Sequence, residues 1–353
     1  MSAAVLGAAC ALGSHRVLDP SGELPQAAWR LDSSPVIHAN EILCAVETLN
    51  VDSASFAQIR EVCGSDADAI AAHILATVEA RGKQHNPVTG SGGMFVGEVL
   101  EVGPALAHRR DLAVGDRIAS LVSLTLTPLR LAGIDHVDLA TGQVRVRGTA
   151  VLFESGLYAQ LPADLPTTVA LAVLDVAGAP AQVSRLAKPG TSVCVIGADG
   201  KSGMLACAAA RNAVGTEGRV IGVVPSATTS GARLLLEHGL VDALVTADAR
   251  KPLDVRDLCQ EALPQLADLV VNCVNVAGTE LASVLCCKDE GTVYFFSMAT
   301  SFTAAALGAE GAGKDVQMMI GNGYAKGHAA LALDTLRNHP ALLAHFVSRY
   351  ACS

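Results

Sequence analysis

The run Val193-Cys194-Val195-Ile196-Gly197-Ala198-Asp199-Gly200-Lys201-Ser202-Gly203 carries the most specific chemistry in the chain. Its four apolar, mostly β-branched residues read as a buried parallel strand. Gly197, Gly200 and Gly203 follow at every third position, and Met204-Leu205-Ala206-Cys207-Ala208-Ala209-Ala210 continues as a helix of small residues. Strand, glycine turn and helix N-terminus together aim free backbone N–H groups and a positive dipole end at an anion. With these flanks the pattern points to the pyrophosphate of a dinucleotide. Lys201 and Ser202 open the helix, where they can touch phosphate. Asp199 is out of keeping, because a carboxylate beside a pyrophosphate is repulsive unless it points away or caps the helix.

The ribose end of such a site is read from the second strand. An NAD site usually carries an acid about 20 residues beyond the glycines. Here that strand ends at Val223-Val224-Pro225-Ser226, and no Asp or Glu occurs between Glu217 and Glu237. A 2′-phosphate is then not repelled, and Ser226, Thr228 and Arg233 can hydrogen-bond it. This favours NADP and leaves NAD open. Asn275, Ser297 and Met298 follow the ends of later strands, where ligands bind in such sheets. They read as lining the nicotinamide side, with core packing the alternative for Met298. Asn322 opens a further glycine turn and is a cofactor candidate from the last crossover.

Three acids stand out elsewhere. Asp52, in Asn50-Val51-Asp52-Ser53-Ala54-Ser55, reads as an Asx turn or helix cap, or as a working carboxylate. Asp175 is embedded in the apolar run Leu171-Ala172-Val173-Leu174-Asp175-Val176-Ala177-Gly178, where a lone carboxylate is costly without a partner. Glu154 follows Phe153 and fits an exposed loop acid equally well. His85 and His328 can shuttle protons but read more readily as structural. No cluster of Cys and His has metal-ligand spacing, so no metal is expected.

The frame that positions these residues comes in two parts. The chain has 353 residues, 51% hydrophobic and 17% charged, enough for two domains and a substantial core. A net charge of −9 with no basic run argues against a nucleic-acid partner. No apolar run reaches membrane-span length, and Met1 to Gly13 lacks the basic start of a signal peptide. Ten cysteines without a CxxC pair suggest buried thiols in a reducing cytoplasm.

Residues 1–165 read mostly as strands and turns, such as Glu41–Leu49, Met94–Val102, Arg117–Leu126 and Gln143–Phe153, with one amphipathic helix near Asp66–Arg81 carrying Ile70, Ile74, Leu75 and Val78 on one face. From Pro166 the period changes. A helical stretch over Thr167–Leu186 leads into the glycine fingerprint, and βα units then alternate to about residue 326. That alternation predicts a doubly wound parallel sheet. Gly327–Tyr350 closes the chain as one or two helices around Pro340.

An all-β first half with Gly97-Glu98-Val99-Leu100-Glu101-Val102-Gly103 and Leu112-Ala113-Val114-Gly115-Asp116-Arg117-Ile118, followed by a dinucleotide domain, resembles the medium-chain dehydrogenase/reductase superfamily. Longer blocks are more specific: His85-Asn86-Pro87-Val88-Thr89-Gly90-Ser91-Gly92-Gly93-Met94, Asp175-Val176-Ala177-Gly178-Ala179-Pro180, Asn272-Cys273-Val274-Asn275, Phe295-Phe296-Ser297-Met298-Ala299-Thr300-Ser301-Phe302 and Gly321-Asn322-Gly323-Tyr324. These resemble the L-erythro-3,5-diaminohexanoate dehydrogenase family of lysine fermentation, from about residue 14 to 350.

The resemblance implies an α/β protein. A GroES-like, mostly-β catalytic domain over 1–165 is completed by 327–353, and a Rossmann domain spans 166–326. It implies oxidative deamination of the diamino acid to 5-amino-3-oxohexanoate and ammonium, with NAD or NADP taking the hydride. Zinc members of the superfamily carry Cys and His where this chain has Asn50–Ser53 and Gly90–Gly93, so zinc is not expected.

On that alignment Asp52 lies near the proton-relay position, and the Asp175 segment passes under the nicotinamide. Glu154 is a candidate for the second ammonium, with Arg130 and Ser91 for the rest of the substrate. A solvated surface position is the alternative for Arg130. Superfamily members usually form homodimers through a late strand, and Phe302–Leu307 is read either as that interface or as core. Two other readings stay open: a zinc-free quinone or enoyl reductase of the same superfamily, and a cofactor-binding protein without turnover.

Overall fold

The computed structural model describes residues 6–87, 90, 92–109, 111–321 and 323–351, with the backbone alone at 53 and 54. The chain divides into two compact units, Met1–Asp164 and Leu165–Ser353.

The first unit is built on a six-stranded antiparallel sheet. Its strands are β1 (Glu41–Asn50), β2 (Met94–Val102), β3 (Arg117–Ser120), β4 (Leu129–Val137), β5 (Gln143–Phe153) and β6 (Tyr158–Gln160), in the order β4-β5-β1-β2-β3-β6. β1 sits in the middle and is largely buried along its length, whereas the edge strand β4 turns most of its side chains outward. The strand expected over Arg117–Leu126 stops at Ser120, because Ser123 caps a 3-10 turn at Leu124–Leu126.

Two helices, not one, interrupt this half. α1 (Ser53–Cys63) is capped by Asp52, and α2 (Ala67–Arg81) by Asp66. α2 buries Ile70, Ile74 and Val78, the expected stripe. The start of β1 is pinned by a buried ion pair. Arg16 Nη2 donates to Glu41 Oε2 at 2.6 Å and Nε to Oε1 at 3.0 Å. The His38 amide donates to Oε2 at 2.8 Å. Glu41 therefore has the partners that a buried charge needs.

The second unit holds six parallel strands: β7 (Ser192–Ile196), β8 (Arg219–Val224), β9 (Ala243–Thr246), β10 (Ala267–Asn272), β11 (Cys287–Phe295) and β12 (Gln317–Ile320). Their order is β9-β8-β7-β10-β11-β12, so the winding reverses between β7 and β10. Such a switch point opens a crevice at the carboxyl ends of the strands. Nearly all of β7 is inaccessible, as a strand covered on both faces must be.

The helices are α3 (Thr167–Leu174), α4 (Gly178–Leu186), α5 (Lys201–Val214), α6 (Ser230–Glu237), α7 (Pro252–Ala262), α8 (Glu280–Cys286), α9 (Phe302–Ala312), α10 (His328–Arg337) and α11 (Pro340–Tyr350). The helix expected over Thr167–Leu186 is two helices bent by 47° at Asp175–Ala177. Phe302–Leu307 begins α9 instead of a strand, with Phe302 and Leu307 exposed.

α10 packs on α3, α4 and α5, and α11 on α3 and α6. The segment 327–353, expected to complete the first domain, therefore lies in the second unit. Among the described residues no single helix is long and apolar enough to cross a membrane, and all described cysteines are free.

Candidate active site

β7 delivers the chain to Gly197, whose φ of +80° is a left-handed conformation that suits glycine. The Gly197 and Ala198 amides donate to Val223 O at 2.9 and 3.2 Å, which lays the turn across the end of β8. At Gly203 an added Cβ would stand 2.1 Å from Gly197 O, so only glycine lets α5 pack this close to the strand. Gly200 is different: a Cβ there would meet only Gly197 O, at 3.6 Å. Gly200 caps α5 with no side chain, and the first turn of α5 holds no acid. No side chain therefore caps the start of the helix, and the space above Gly200 is open. A dinucleotide pyrophosphate fits both.

The out-of-keeping Asp199 is turned toward the start of α6. Its Oδ2 accepts from Thr229 Oγ1 at 3.0 Å, and Thr229 in turn caps α6 by accepting from Ala232 N at 3.1 Å. Asp175 ends α3 and finds the partner its apolar setting demands: Lys201 Nζ donates to Asp175 Oδ2 at 2.8 Å. The two side chains are only 17% and 23% exposed, beside the glycine turn. Burial raises the Tyr350 phenol pKa, and the Lys201 and Asp175 charges also act on that ring.

Beyond β8, Ser226 Oγ and Thr228 Oγ1 share a 2.8 Å bond, and Arg233 is exposed on α6. Asn275 is exposed three residues past β10. Ser297 is buried and accepts from Ala299 N at 3.1 Å, while Met298 stands exposed, not packed in the core. Ser91 and Asn322 lie outside the described residues.

Asn272, at the end of β10, was not singled out from the sequence. It is 1% exposed, donates to Thr279 Oγ1 and Ser283 Oγ at 2.8 Å each, and accepts from Val274 N at 2.9 Å. It ties the loop after β10 to α8. Its place in the motif Asn272-Cys273-Val274-Asn275 was the one available signal.

In the first unit Asp52 is an N-cap and something more. Oδ1 accepts from Ser55 N at 2.9 Å and Oδ2 from Ser55 Oγ at 2.6 Å, while Asn86 Nδ2 donates to Ser55 Oγ at 3.1 Å. The carboxylate is half-buried and held in one orientation. Glu154 is also half-buried: Oε2 accepts from Asn40 Nδ2 at 3.0 Å, and its carbonyl accepts from Arg109. Arg130 projects from the edge strand β4 and is exposed.

His85 Nδ1 shares a 2.5 Å bond with Thr125 Oγ1. Burial, then the Arg81 and Lys83 charges, push its ring down to about 4. A pocket of about 190 Å³ lined by Leu12, Pro25, Val122, Leu126, Thr127 and Phe153 is mainly apolar and includes none of these acids. Among the described residues no group of three or more His, Cys, Asp or Glu side chains is disposed to hold a metal ion.

An antiparallel mostly-β unit, then a doubly wound sheet with an uncapped glycine turn at its switch point, defines the medium-chain dehydrogenase/reductase architecture. Solved structures agree on the fold. A mycobacterial protein crystallised with NADPH matches with a TM-score of 0.53 at 18% identity, covering 88% of this chain and 89% of that one. A quinone oxidoreductase from Coxiella burnetii matches with a TM-score of 0.53 at 17% identity, covering 87% and 86%.

Sequence relatives are more specific. Residues 15–162 match the model of the L-erythro-3,5-diaminohexanoate dehydrogenase N-terminal domain. The L-erythro-3,5-diaminohexanoate dehydrogenase of Acetoanaerobium sticklandii is 51% identical over 342 residues, 97% of this chain and 99% of the relative. That of Fusobacterium nucleatum is 50% identical over 334 residues, 94% and 96%. The chain belongs to the L-erythro-3,5-diaminohexanoate dehydrogenase family, and it is an oxidoreductase.

Proposed function

We propose that the protein oxidatively deaminates L-erythro-3,5-diaminohexanoate at C3, using a nicotinamide dinucleotide held over the Gly197–Gly203 turn. The observation that carries the reading is the uncapped N-terminus of α5 at the switch point, in a chain of this family. The balance is one ammonium-bearing carbon, one oxidised dinucleotide and one water in. A ketone, ammonium, reduced dinucleotide and one proton come out. When bound, the dinucleotide supplies the hydride acceptor.

The protein's own groups do the rest. Asp52 takes the proton from the C3 ammonium, so that the nitrogen lone pair can drive the hydride off carbon. Asp52 gives that proton up to solvent, the one proton the balance releases, and the restored carboxylate then assists addition of water to the resulting iminium. Ser55 holds Asp52 for both tasks through its 2.6 Å hydroxyl bond. Lys201, fixed by Asp175, supplies positive charge beside the pyrophosphate turn. Glu154, bonded to Asn40 where β1 begins and next to Phe153, which pairs with Glu41, stands at the opposite end of that ten-residue strand from Asp52 and takes no part in holding the same substrate. The reaction needs no metal, and the family reading further implies a cytoplasmic homodimer.

The test is direct. Purified protein is mixed with the diamino acid and NAD or NADP, and the reduced nicotinamide absorbance and released ammonium are followed with and without a chelator. Equal yields of both, insensitive to the chelator, are expected. Turnover of NADPH with a quinone, and none with the diamino acid, would replace this reading with that of a quinone reductase.

A further inference from the structure

We propose that Asp199 reads the 2′ position of the adenine ribose and selects NAD over NADP. The inference rests on the dinucleotide reading above and concerns one corner of the same site. In doubly wound sheets that take NAD, an acid at the end of the second strand accepts a hydrogen bond from the ribose hydroxyl. Between Glu217 and Glu237 this chain has none. The corner is nevertheless acidic, because the carboxylate arrives from the neighbouring turn.

Three observations put it there. First, the glycine turn is fastened to the end of β8 itself, with the Gly197 and Ala198 amides both on Val223 O. Ala198 presses on the same strand, where a Cβ added at Gly222 would stand 2.8 Å from its own Cβ. Second, Asp199 is the next residue, and its Oδ2 is bonded to Thr229, the residue that caps α6 just beyond β8. Third, α6 comes close enough that a Cβ at Gly231 would lie 2.9 Å from Asp199 O. The side chain therefore spans the gap between the first turn and the second helix.

The electrostatics follow from this placement. Oδ2 is occupied by Thr229, and Oδ1 has no hydrogen-bond partner among the described residues. A half-buried carboxylate with a free oxygen accepts from a ribose hydroxyl and repels a phosphate at the same carbon. Ser226 and Thr228 are neutral and bonded to each other. Arg233, exposed one turn into α6, is the cation that would oppose Asp199. A half-buried acid outweighs a solvated guanidinium here, since screening weakens exposed charges most. The preference for NADP expected from the bare second strand is thereby reversed.

The test measures binding, not turnover. AMP, adenosine 2′,5′-bisphosphate, NADH and NADPH are titrated into the full-length protein by calorimetry and by nicotinamide fluorescence. The proteins are wild type, Asp199→Asn and Asp199→Ser, each checked for native circular dichroism. Asp199→Asn keeps an acceptor for Thr229 in the same place. Wild type should bind AMP and NADH at least tenfold tighter than their 2′-phosphorylated counterparts, and each variant should narrow that ratio about tenfold or more. A ratio unchanged in both variants, or a wild type that prefers the 2′-phosphates, overturns the assignment to Asp199. Failure of the wild type to bind any of the four overturns the dinucleotide reading beneath it.

Discussion

Gly200 and Gly203 lie three residues apart in one turn, yet the structure assigns them opposite liabilities. At Gly203 a Cβ would fall 2.1 Å from Gly197 O and 2.7 Å from Ala198 Cα, both backbone atoms that cannot swing aside. Ordinary contact needs about 3.4 Å or more, so α5 must retreat from β7 by roughly 1 Å. Overpacking of this kind costs about 1–3 kcal/mol, and the severity of this clash puts Gly203→Ala at the upper end. The better helix propensity of alanine returns up to about 1 kcal/mol. The net loss is about 2 kcal/mol, or roughly 4–8 °C in Tm for a unit of this size.

At Gly200 the backbone has φ −81° and ψ 170°, an extended conformation that valine adopts freely, and the nearest atom is 3.6 Å away. Gly200→Val should therefore keep its Tm within about 2 °C. Its side chain fills the space where the pyrophosphate belongs, so NADH affinity should fall about a hundredfold or more. Differential scanning fluorimetry and a fluorescence titration on the two variants measure both quantities. A Gly200→Val protein that binds NADH normally refutes the placement of the diphosphate over this turn. A Gly203→Ala protein as stable as wild type refutes the packing argument.

Asp52→Asn should lower kcat about a hundredfold or more while NADH affinity stays as in wild type; an unchanged kcat removes Asp52 from the chemistry. Glu41→Gln removes the buried anion of Arg16, leaving the guanidinium only the half-exposed Asp32 carboxylate at 3.7 Å, and should cost about 3 kcal/mol in urea unfolding. Burial alone would raise the Glu41 carboxyl, but the Arg16, His38 and His15 bonds outweigh it and hold its pKa below the usual value. With the folded pKa depressed, the pair's contribution is full above about pH 4.3 and is lost as pH falls through the folded value. The gap between wild type and Glu41→Gln should therefore close in acid, and a gap independent of pH would contradict this. His85 should titrate by NMR with a midpoint of about 4. Its folded pKa lies below the unfolded one of about 6.5, so stability should drop as pH falls from about 6.5 toward 4, less steeply in His85→Gln. A midpoint near the ordinary imidazole value would contradict the burial argument.

The parts of the fold legible from the chain were those written in local pattern. β8 and β9 could be bounded to the residue because each is a short apolar run between turn residues. α2 showed itself through the stripe of Ile70, Ile74 and Val78. α1 did not, because its composition is mixed and its one clear signal, Asp52 three residues before Ser55, read equally well as an isolated turn. The bend at Asp175 was hidden for the opposite reason: apolar residues continue through it, and helical propensity does not register a 47° change of axis. The fate of 327–353 depends on which surfaces the last two helices find, and that is settled by packing on α3, α4, α5 and α6, not by periodicity.

The charged residues divide along the same line. Asp52 and Ser55 are three apart, so their bond was readable as a cap. Asp175 meets Lys201 across 26 residues, Arg16 meets Glu41 across 25, and Asp199 meets Thr229 across 30. No spacing rule reaches that far, because such partners are set by strand order. In this sheet β7 lies between β8 and β10, so its turn must abut the turn after β8, and a side chain from one can serve a site that belongs by habit to the other. That explains why an acid absent from its usual strand end is not absent from its usual corner. It also gives the misfit at Asp199 a meaning. When every other residue of a motif agrees with the fold and one does not, either the motif is misread or the odd residue has a task of its own. The bond to Thr229 and the free oxygen beside it argue for the second.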